Sequence, residues 1–553
     1  MDRESNRPLP ERGTPVPSGP ISDYRNIPVL PRRQAALVLA GIMLGILMGA
    51  LDNLVVVTAL PKIVNDIGGA NTLPFVVSAY LIAATVATPI FGKLSDNYSR
   101  RNFFILGLVI FIGGSLLAGL SQSSTELIAF RAIQGFGSGA FFPIGISIIG
   151  VLFTPEARAK LTGAFSSIFG IATILGPFLG SYIVDNTTWR WVFYVNLPIG
   201  IAGIIIVLGA VGVLRPTSRK RFDTLGSALL AGWVSAFMLA LLENSDSGWA
   251  WSDARIVGLL GATVILFIGF VLWELEDKEP VVPLRFFAQR VVSASSSIAF
   301  LRGTVLITVS TFVSILVAYV LGGTPDAIRD TLYFFVVPLV IGSLIGGQLL
   351  PRLTYRVLSV TGMALMSVGT LLLTTFRETT PTWQFSYLIL PTGGLGLYLI
   401  PTGFGVGMTF AVTALAIQYA VPPKDIGAAS SLVQFLANLG GAVGLALFSS
   451  YAQGRITSLD PVPNGLNCPI PPASAPNVGC FPYYSALPHA MAIAYSETFY
   501  FLVAVSLVAF FSAWFITGRL PKTRGMPMPG TGSGSSLPSG TAGGAPSAVS
   551  GSR

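Results

Sequence analysis

The sequence predicts an all-α polytopic membrane protein of about fourteen spans, arranged as two six-helix bundles with two further helices between them. Three observations carry that reading. Only 10% of the 553 residues are charged and 52% are hydrophobic, with a mean hydropathy of +0.72. Soluble domains carry roughly 25% charged residues. The apolar residues fall in blocks long enough to cross a bilayer, which takes about 20 residues per helix. Finally, a pattern in the first half of the chain returns in the second.

Residues 1–33 are polar, rich in Pro and Arg, and read as a disordered tail without the apolar core of a cleaved signal peptide. Spans are expected near 36–60, 73–94, 103–121, 125–151, 160–184 and 190–214, making a first bundle over 34–215. Spans near 223–243 and 255–275 form an insert over 216–290. The second bundle, 291–520, takes spans near 294–320, 331–351, 357–376, 392–420, 427–450 and 493–518. Its longest loop, 451–492, carries Cys468 and Cys480 among many prolines. A disulfide on an oxidising outer face and two unpaired thiols both stay open there. The end of the chain, 521–553, is Gly/Ser/Pro-rich and reads as a second flexible tail.

An even number of crossings puts both termini on one side. Loops and tails on that side hold 25 of the 33 basic residues, against six on the other, which assigns it to the cytoplasm. The formal net charge of +9 therefore follows membrane topology and not one basic face for nucleic acid.

The repeat is specific. Residues 135–142 read GFGSGAFF and residues 403–410 read GFGVGMTF. Downstream, 163–180 read GAFSSIFGIATILGPFLG and 427–444 read GAASSLVQFLANLGGAVG, identical at seven positions. Two matches in the same order point to a duplicated six-helix unit. Eight spans separate equivalent helices, so the copies are parallel, which is the architecture of rocking secondary transporters with a site between the halves. Small-residue packing alone explains glycines but not their repeated order.

Buried charges within the apolar blocks need a reason, since each costs about 2.5–3.5 kcal/mol on insertion scales. Asp52 sits about 23 Å into the first span and Arg131 about 9 Å from the outer end of the fourth, at similar depth. They are read as a pair that exchanges a proton, with a fixed structural ion pair as the competing reading. Arg302 is a third buried charge, nearer mid-membrane, that either lines a substrate path or is satisfied locally. In the second copy Arg131 aligns with Leu399 and Pro177 with Gly441, so the proton chemistry is assigned to the first copy.

Between the second and third spans, GKLSDNYSRR (residues 92–101) offers Gly92, Asp96, Arg100 and Arg101. Asp96 is suited to cap a neighbouring helix N-terminus, and the arginines to pair with acids or lipid phosphates. Such a contact can latch one of two conformations, while a plain basic inner loop is the simpler reading. In the fifth span Pro177 lies in a helix interior, with Gly170, Gly176 and Gly180 around it. The tryptophans of WRWVFYVNLPIG (189–200) read as interfacial anchors. Two cysteines and one histidine argue against a metal centre, no phosphate-binding loop argues against ATP-driven pumping, and no nucleophile–base constellation suggests an enzyme.

Together these motifs resemble those of the major facilitator superfamily, in particular its 14-helix drug:proton antiporter branch. GKLSDNYSRR resembles the family's helix 2–3 motif, with Asn97 and Ser99 as departures, and LIAFRAIQGFGSGAFF its helix 4 motif built on R-x-x-Q-G. GIATILGPFLG is similar to the antiporter motif of helix 5. The resemblance covers about residues 35–520 and implies the major-facilitator fold. It implies a proton relay through Arg131, a titrating or cation-recognising Asp52, and a gating latch of Asp96 with Arg100. Arg302 and Gln134 are the candidates along the substrate path. The function it implies is proton-driven export of amphipathic or cationic small molecules, by a monomer in the plasma membrane. No cofactor beyond the proton motive force is expected, and the partners are substrate, protons and lipids. An exporter of one physiological solute is the rival reading, and a non-transporting sensor of the same fold a more distant one.

Overall fold

The structure, a computed structural model, describes residues 31–67, 73–210, 221–246, 251–321, 325–376, 394–422, 425–459 and 481–519. These residues are almost entirely helical. The first half comprises α1 (Arg32–Ile67), α2 (Leu73–Asn97), α3 (Arg100–Leu120), α4 (Ser124–Ser138), α5 (Phe141–Leu152), α6 (Pro155–Asn186), α7 (Trp191–Tyr194) and α8 (Asn196–Ala210). Next come α9 (Thr224–Asp246) and α10 (Ala254–Glu276). The second half comprises α11 (Arg290–Ile315), α12 (Pro325–Leu349), α13 (Tyr355–Leu373), α14 (Leu395–Ala420), α15 (Ile426–Leu459) and α16 (Phe481–Ala513).

Thirteen stretches of the described residues are long and apolar enough to cross a membrane, and the 32-residue α6 completes fourteen rods. Two rods are broken. The fourth expected span divides at Gly139 and Ala140, one turn before Pro143, and the sixth divides at Val195, one turn before Pro198. In each case proline supplies no N–H to the carbonyl four residues earlier, so the hydrogen-bond ladder is interrupted there. The second copy carries Ala411 where the first has Pro143, and α14 runs unbroken through the corresponding stretch. The last rod differs from expectation at its start. It begins at Phe481, not near 493, and α15 continues to Leu459, so of the loop expected over 451–492 the parts 451–459 and 481–492 are helical and 460–480 stand between them. Those residues, with Cys468 and Cys480, lie outside the described residues, as do 1–30 and 520–553; Arg32 and Arg33, expected in the first tail, already belong to α1.

The face at which α1 begins is termed proximal and the opposite one distal. Packing repeats between the halves. α1 lies against α6 and α8, while α4 lies against α2 and α3; correspondingly α11 lies against α15 and α16, and α14 against α12 and α13. Each half has its own aromatic core, around Phe104, Phe111 and Phe141 in the first and Phe312, Phe448 and Phe499 in the second. Across the boundary, α6 packs on α12 and α15 packs on α2.

One aligned pair of glycines from the repeat makes these cross-contacts. Gly163 and Gly427, the aligned first residues of the second repeated stretch, each meet the other half with no room for a side chain. A Cβ on Gly163 would lie 2.6 Å from the Ser343 carbonyl oxygen, and one on Gly427 would lie 2.6 Å from that of Gly92. Ser343 Oγ also donates to the Gly163 carbonyl at 3.1 Å. These contacts close the proximal ends of the two halves on each other.

The inserted pair is not peripheral to that boundary. α9 rests against both α2 and α15, and the Trp233 ring meets Phe435 of α15 at 6.2 Å. On the proximal side Lys93 of α2 pairs with Glu279 just beyond α10, at 3.4 Å. On the distal side Trp251 Nε1 donates to Ser450 Oγ of α15. The insert therefore touches one element from each half.

Candidate functional site

Asp52 and Arg131, far apart in sequence, form a sealed ion pair in the first half. Arg131 NH1 donates to Asp52 Oδ2 at 2.5 Å, and neither side chain has any solvent exposure. The pair is the centre of a larger cluster. Gln134, one turn from Arg131 on α4, donates through Nε2 to Asp52 Oδ1 at 2.7 Å and accepts from Arg131 NH1 at 2.7 Å. Asn196 Nδ2 donates to the same Asp52 oxygen at 2.7 Å. Ser115 of α3 accepts from both amides at 3.1 Å and donates to the Phe193 carbonyl at 2.9 Å.

Arg131 is held on its other sides as well. Its Nε donates to the Val76 carbonyl at 3.3 Å, and its guanidinium lies 4.2 Å from the centroid of the Tyr80 ring. Tyr80 is itself fixed by donating to the Gly49 carbonyl at 3.0 Å. Arg131 NH2 has no partner among the described residues. A buried ion pair persists only where further hydrogen bonds satisfy its remaining lone pairs and protons. Here α2, α4 and α8 supply them for all but Arg131 NH2, and Ser115 of α3 braces the two amides. Every contact to Asp52 is a donor. Oδ2 accepts a single bond, so a proton can add to its free lone pair, and it would neutralise the counter-ion of Arg131.

Sequence reasoning paired Asp52 with Arg131 but missed Asn196, Ser115 and Tyr80. Asn196 was visible as the lone amide in VFYVNLPIG, yet the tryptophans upstream drew the whole segment toward an anchoring reading. The structure corrects that reading for Trp189. This residue is buried, and its Nε1 donates to Asp66 Oδ2 at 2.8 Å beside Arg190, which reaches the same oxygen at 2.6 Å. Trp191 is half exposed.

Arg302 lies on α11, fully buried. Its NH1 donates to Thr413 Oγ1 of α14 at 3.1 Å, and its guanidinium lies 3.8 Å from the centroid of Phe410. Gln134 and Arg302 were expected along one path, but they share no partner. Gln134 belongs to the Asp52 cluster.

At the proximal face, Asp96 ends α2 against the start of α15. Its carboxylate accepts from the backbone N–H groups of Gly427 at 3.0 Å and Ala428 at 2.8 Å, and from Arg100 at 2.7 Å. A carboxylate at a helix N-terminus satisfies N–H groups that have no partner within the helix and is favoured by the helix dipole. Arg100 also donates through Nε to Ser147 Oγ at 2.7 Å. Gly92 lies directly under Gly427 and Ser431. Ser99, one of the two departures from the loop motif, accepts from Asn102 N and caps α3. Asn97, the other, buries its amide. Arg101 lies beyond this contact, with Nε donating to Asn102 Oδ1 at 3.4 Å.

The glycines of the fifth span lie within α6, which is helical through Pro177. Gly170 packs against Val336 and Val340 of α12, while Gly176 and Gly180 are buried.

Comparison with known proteins places this geometry in context. The model of the Major Facilitator Superfamily matches residues 42–445. Multidrug resistance protein 3 of Bacillus subtilis is 33% identical over 444 residues, covering 80% of this chain and 84% of that protein. The rubrofusarin-specific efflux pump aurT of Gibberella zeae is 32% identical over 447 residues, covering 77% and 78%. Among solved structures, the human organic anion transporter MFSD10 superposes with a TM-score of 0.58 at 14% identity, covering 88% of this chain and all of that one. The proton:xylose symporter XylE superposes with a TM-score of 0.57 at 13% identity, covering 89% and 97%.

Proposed function

Because the chain belongs to the Major Facilitator Superfamily, whose matched members include multidrug and efflux transporters, we propose that it exports amphipathic or cationic small molecules in exchange for protons. The observation that carries this reading is the Asp52–Arg131 pair, sealed from solvent and ringed by donors. The distal side is the exterior and the proximal side the cytoplasm, on the strength of the basic loops. A proton entering from outside binds Asp52, neutralises the counter-ion of Arg131 and loosens the pair, and the two halves rock. The proton leaves inward as substrate leaves outward. Asp96 and Arg100 act as the latch on the cytoplasmic side, holding α15 against α2 while the outer side exchanges substrate. Arg302 lines the substrate path in the second half, and no cofactor takes part.

The test is transport in everted membrane vesicles under an imposed pH gradient. Asp52→Asn keeps the side-chain shape but removes the charge, so proton-driven efflux of a cationic dye is expected to vanish. Normal efflux rates in that variant rule out the relay. Removing one partner of a buried pair costs about 3–5 kcal/mol, so the double variant Asp52→Asn with Arg131→Gln controls for folding. It should regain the thermal midpoint without regaining efflux.

The 32% identity to a pump described as specific for one compound favours a second reading, the export of a single physiological solute. A drug-resistance panel run beside a targeted metabolite assay separates the two. Broad resistance supports the first reading, and loss of one metabolite from the medium supports the second.

A further inference from the structure

Two guanidinium groups lie fully inside the described bundle, Arg131 and Arg302, at 0% and 1% exposure. They occupy related positions, since Arg131 binds across the first and fourth rods of its half and Arg302 across the first and fourth rods of the other. Their surroundings differ in kind. Arg131 is matched by Asp52. Arg302 has no carboxylate within ion-pair distance among the described residues; it has the Thr413 hydroxyl and the Phe410 ring, and its Nε donates to nothing.

The remaining buried acids lie toward the proximal end. Asp425 sits just before α15 and Asp96, its side chain 3% exposed, ends α2 against it, while Asp223 and Glu274 sit at the proximal ends of α9 and α10. The middle of the bundle therefore holds one unmatched positive charge. Burying a charge is unfavourable unless it is paired and hydrogen-bonded. Two turns toward the proximal end, on the same face of α11, Ser295 Oγ is also buried without a partner among the described residues. α14, which supplies Phe410 and Thr413, borders α6 of the first half, so this cluster adjoins the boundary that opens when the halves separate.

We infer that Arg302, Phe410 and Thr413 form a substrate subsite for an aromatic compound bearing a carboxylate or phenolate oxygen. The oxygen supplies the acceptor that Arg302 lacks, in a charge-assisted hydrogen bond to the unused Nε. The substrate ring packs beside Phe410. A lone buried cation disfavours a second cation near it, so this subsite selects against the cationic compounds that an unpaired acid would attract. The inference rests on the export reading above and, among its amphipathic substrates, assigns the anionic ones to this subsite.

The experiment uses the purified full chain in proteoliposomes with two probes of similar scaffold, anionic fluorescein and cationic rhodamine 6G. Fluorescein binding is read by anisotropy, and efflux of both probes is driven by a pH gradient. The wild type is expected to bind and export fluorescein. Arg302→Gln should lower the ratio of fluorescein to rhodamine efflux at least tenfold and weaken fluorescein binding by a similar factor. Arg302→Lys, which keeps the charge without the planar fork, should fall between them. An unchanged ratio in Arg302→Gln, with both rates falling together or neither falling, overturns the subsite. So does a wild type that exports rhodamine but neither binds nor moves fluorescein, an outcome that leaves export standing. Arg302-dependent binding without transport of either probe overturns export and leaves the anion subsite.

Discussion

Asp52 accepts hydrogen bonds from Arg131, Gln134 and Asn196, and two of those residues lie on α4 while the third begins α8. The charged pair was legible because a charge stands out in an apolar block. The amide and hydroxyl around it were not, because uncharged polar residues are scattered through every span and only a few become partners. Asn196 is 144 residues from the carboxylate it serves. It acts as a positioning residue, holding the carboxylate oxygen that Arg131 does not use. A hydrogen bond to a charged group contributes about 1.5–3 kcal/mol. Asn196→Ala is therefore expected to lower the thermal midpoint by several degrees and to slow proton-driven efflux about tenfold. Wild-type values for both would place Asn196 outside the working cluster.

At the scale of elements, the helix count and order follow from hydropathy, but the breaks and contacts follow from single residues. Pro143 and Pro198 each end a helix one turn upstream, and the second break makes Asn196 the first residue of α8. Glycine has the opposite role, bringing intact helices together. Gly427 lies so close to α2 that a Cβ would sit 2.6 Å from the Gly92 carbonyl oxygen and 2.7 Å from Asp96 Oδ1. Gly427→Ala should therefore force α15 off α2 and open the proximal face without unfolding either half. The measurement is alkylation of a cysteine placed by Ser431→Cys, in a chain with Cys468→Ser and Cys480→Ser. Labelling should rise at least fivefold, and efflux should fall. Gly113→Ala, where a Cβ meets nothing within 4 Å, is the control and should change neither. Equal labelling in all three chains would show that the glycine contact does not hold the face shut.

For the whole molecule, the two halves share packing but not chemistry. Gly163 and Gly427 recur at equivalent cross-contacts, whereas Arg131 aligns with Leu399 and the mid-bundle charge of the second half sits elsewhere, at Arg302. A duplicated scaffold thus carries a matched ion pair in one copy and an unmatched cation in the other. The even number of rods sets a further expectation, that both termini face the cytoplasm. Green fluorescent protein joined after Arg553 should fluoresce, and alkaline phosphatase at the same point should be inactive. A fusion at Gln122, between α3 and α4, should give the reverse. Matching signals at the two points would overturn the topology.

The sequence by itself determined the membrane class, the approximate spans, the duplication and the conspicuous charges. Each of these is a local sum or a repeated order along the chain, and a bilayer selects spans by the same local sum. The tertiary structure alone decided which uncharged groups gather round Asp52, that Gln134 joins them and not Arg302, and that of the repeated glycines Gly163 and Gly427 meet the opposite half. Those outcomes depend on the rotation and depth of separate helices. Hydropathy fixes neither, because apolar side chains satisfy the bilayer whichever way they face, and only close packing and buried hydrogen bonds tell one arrangement from another.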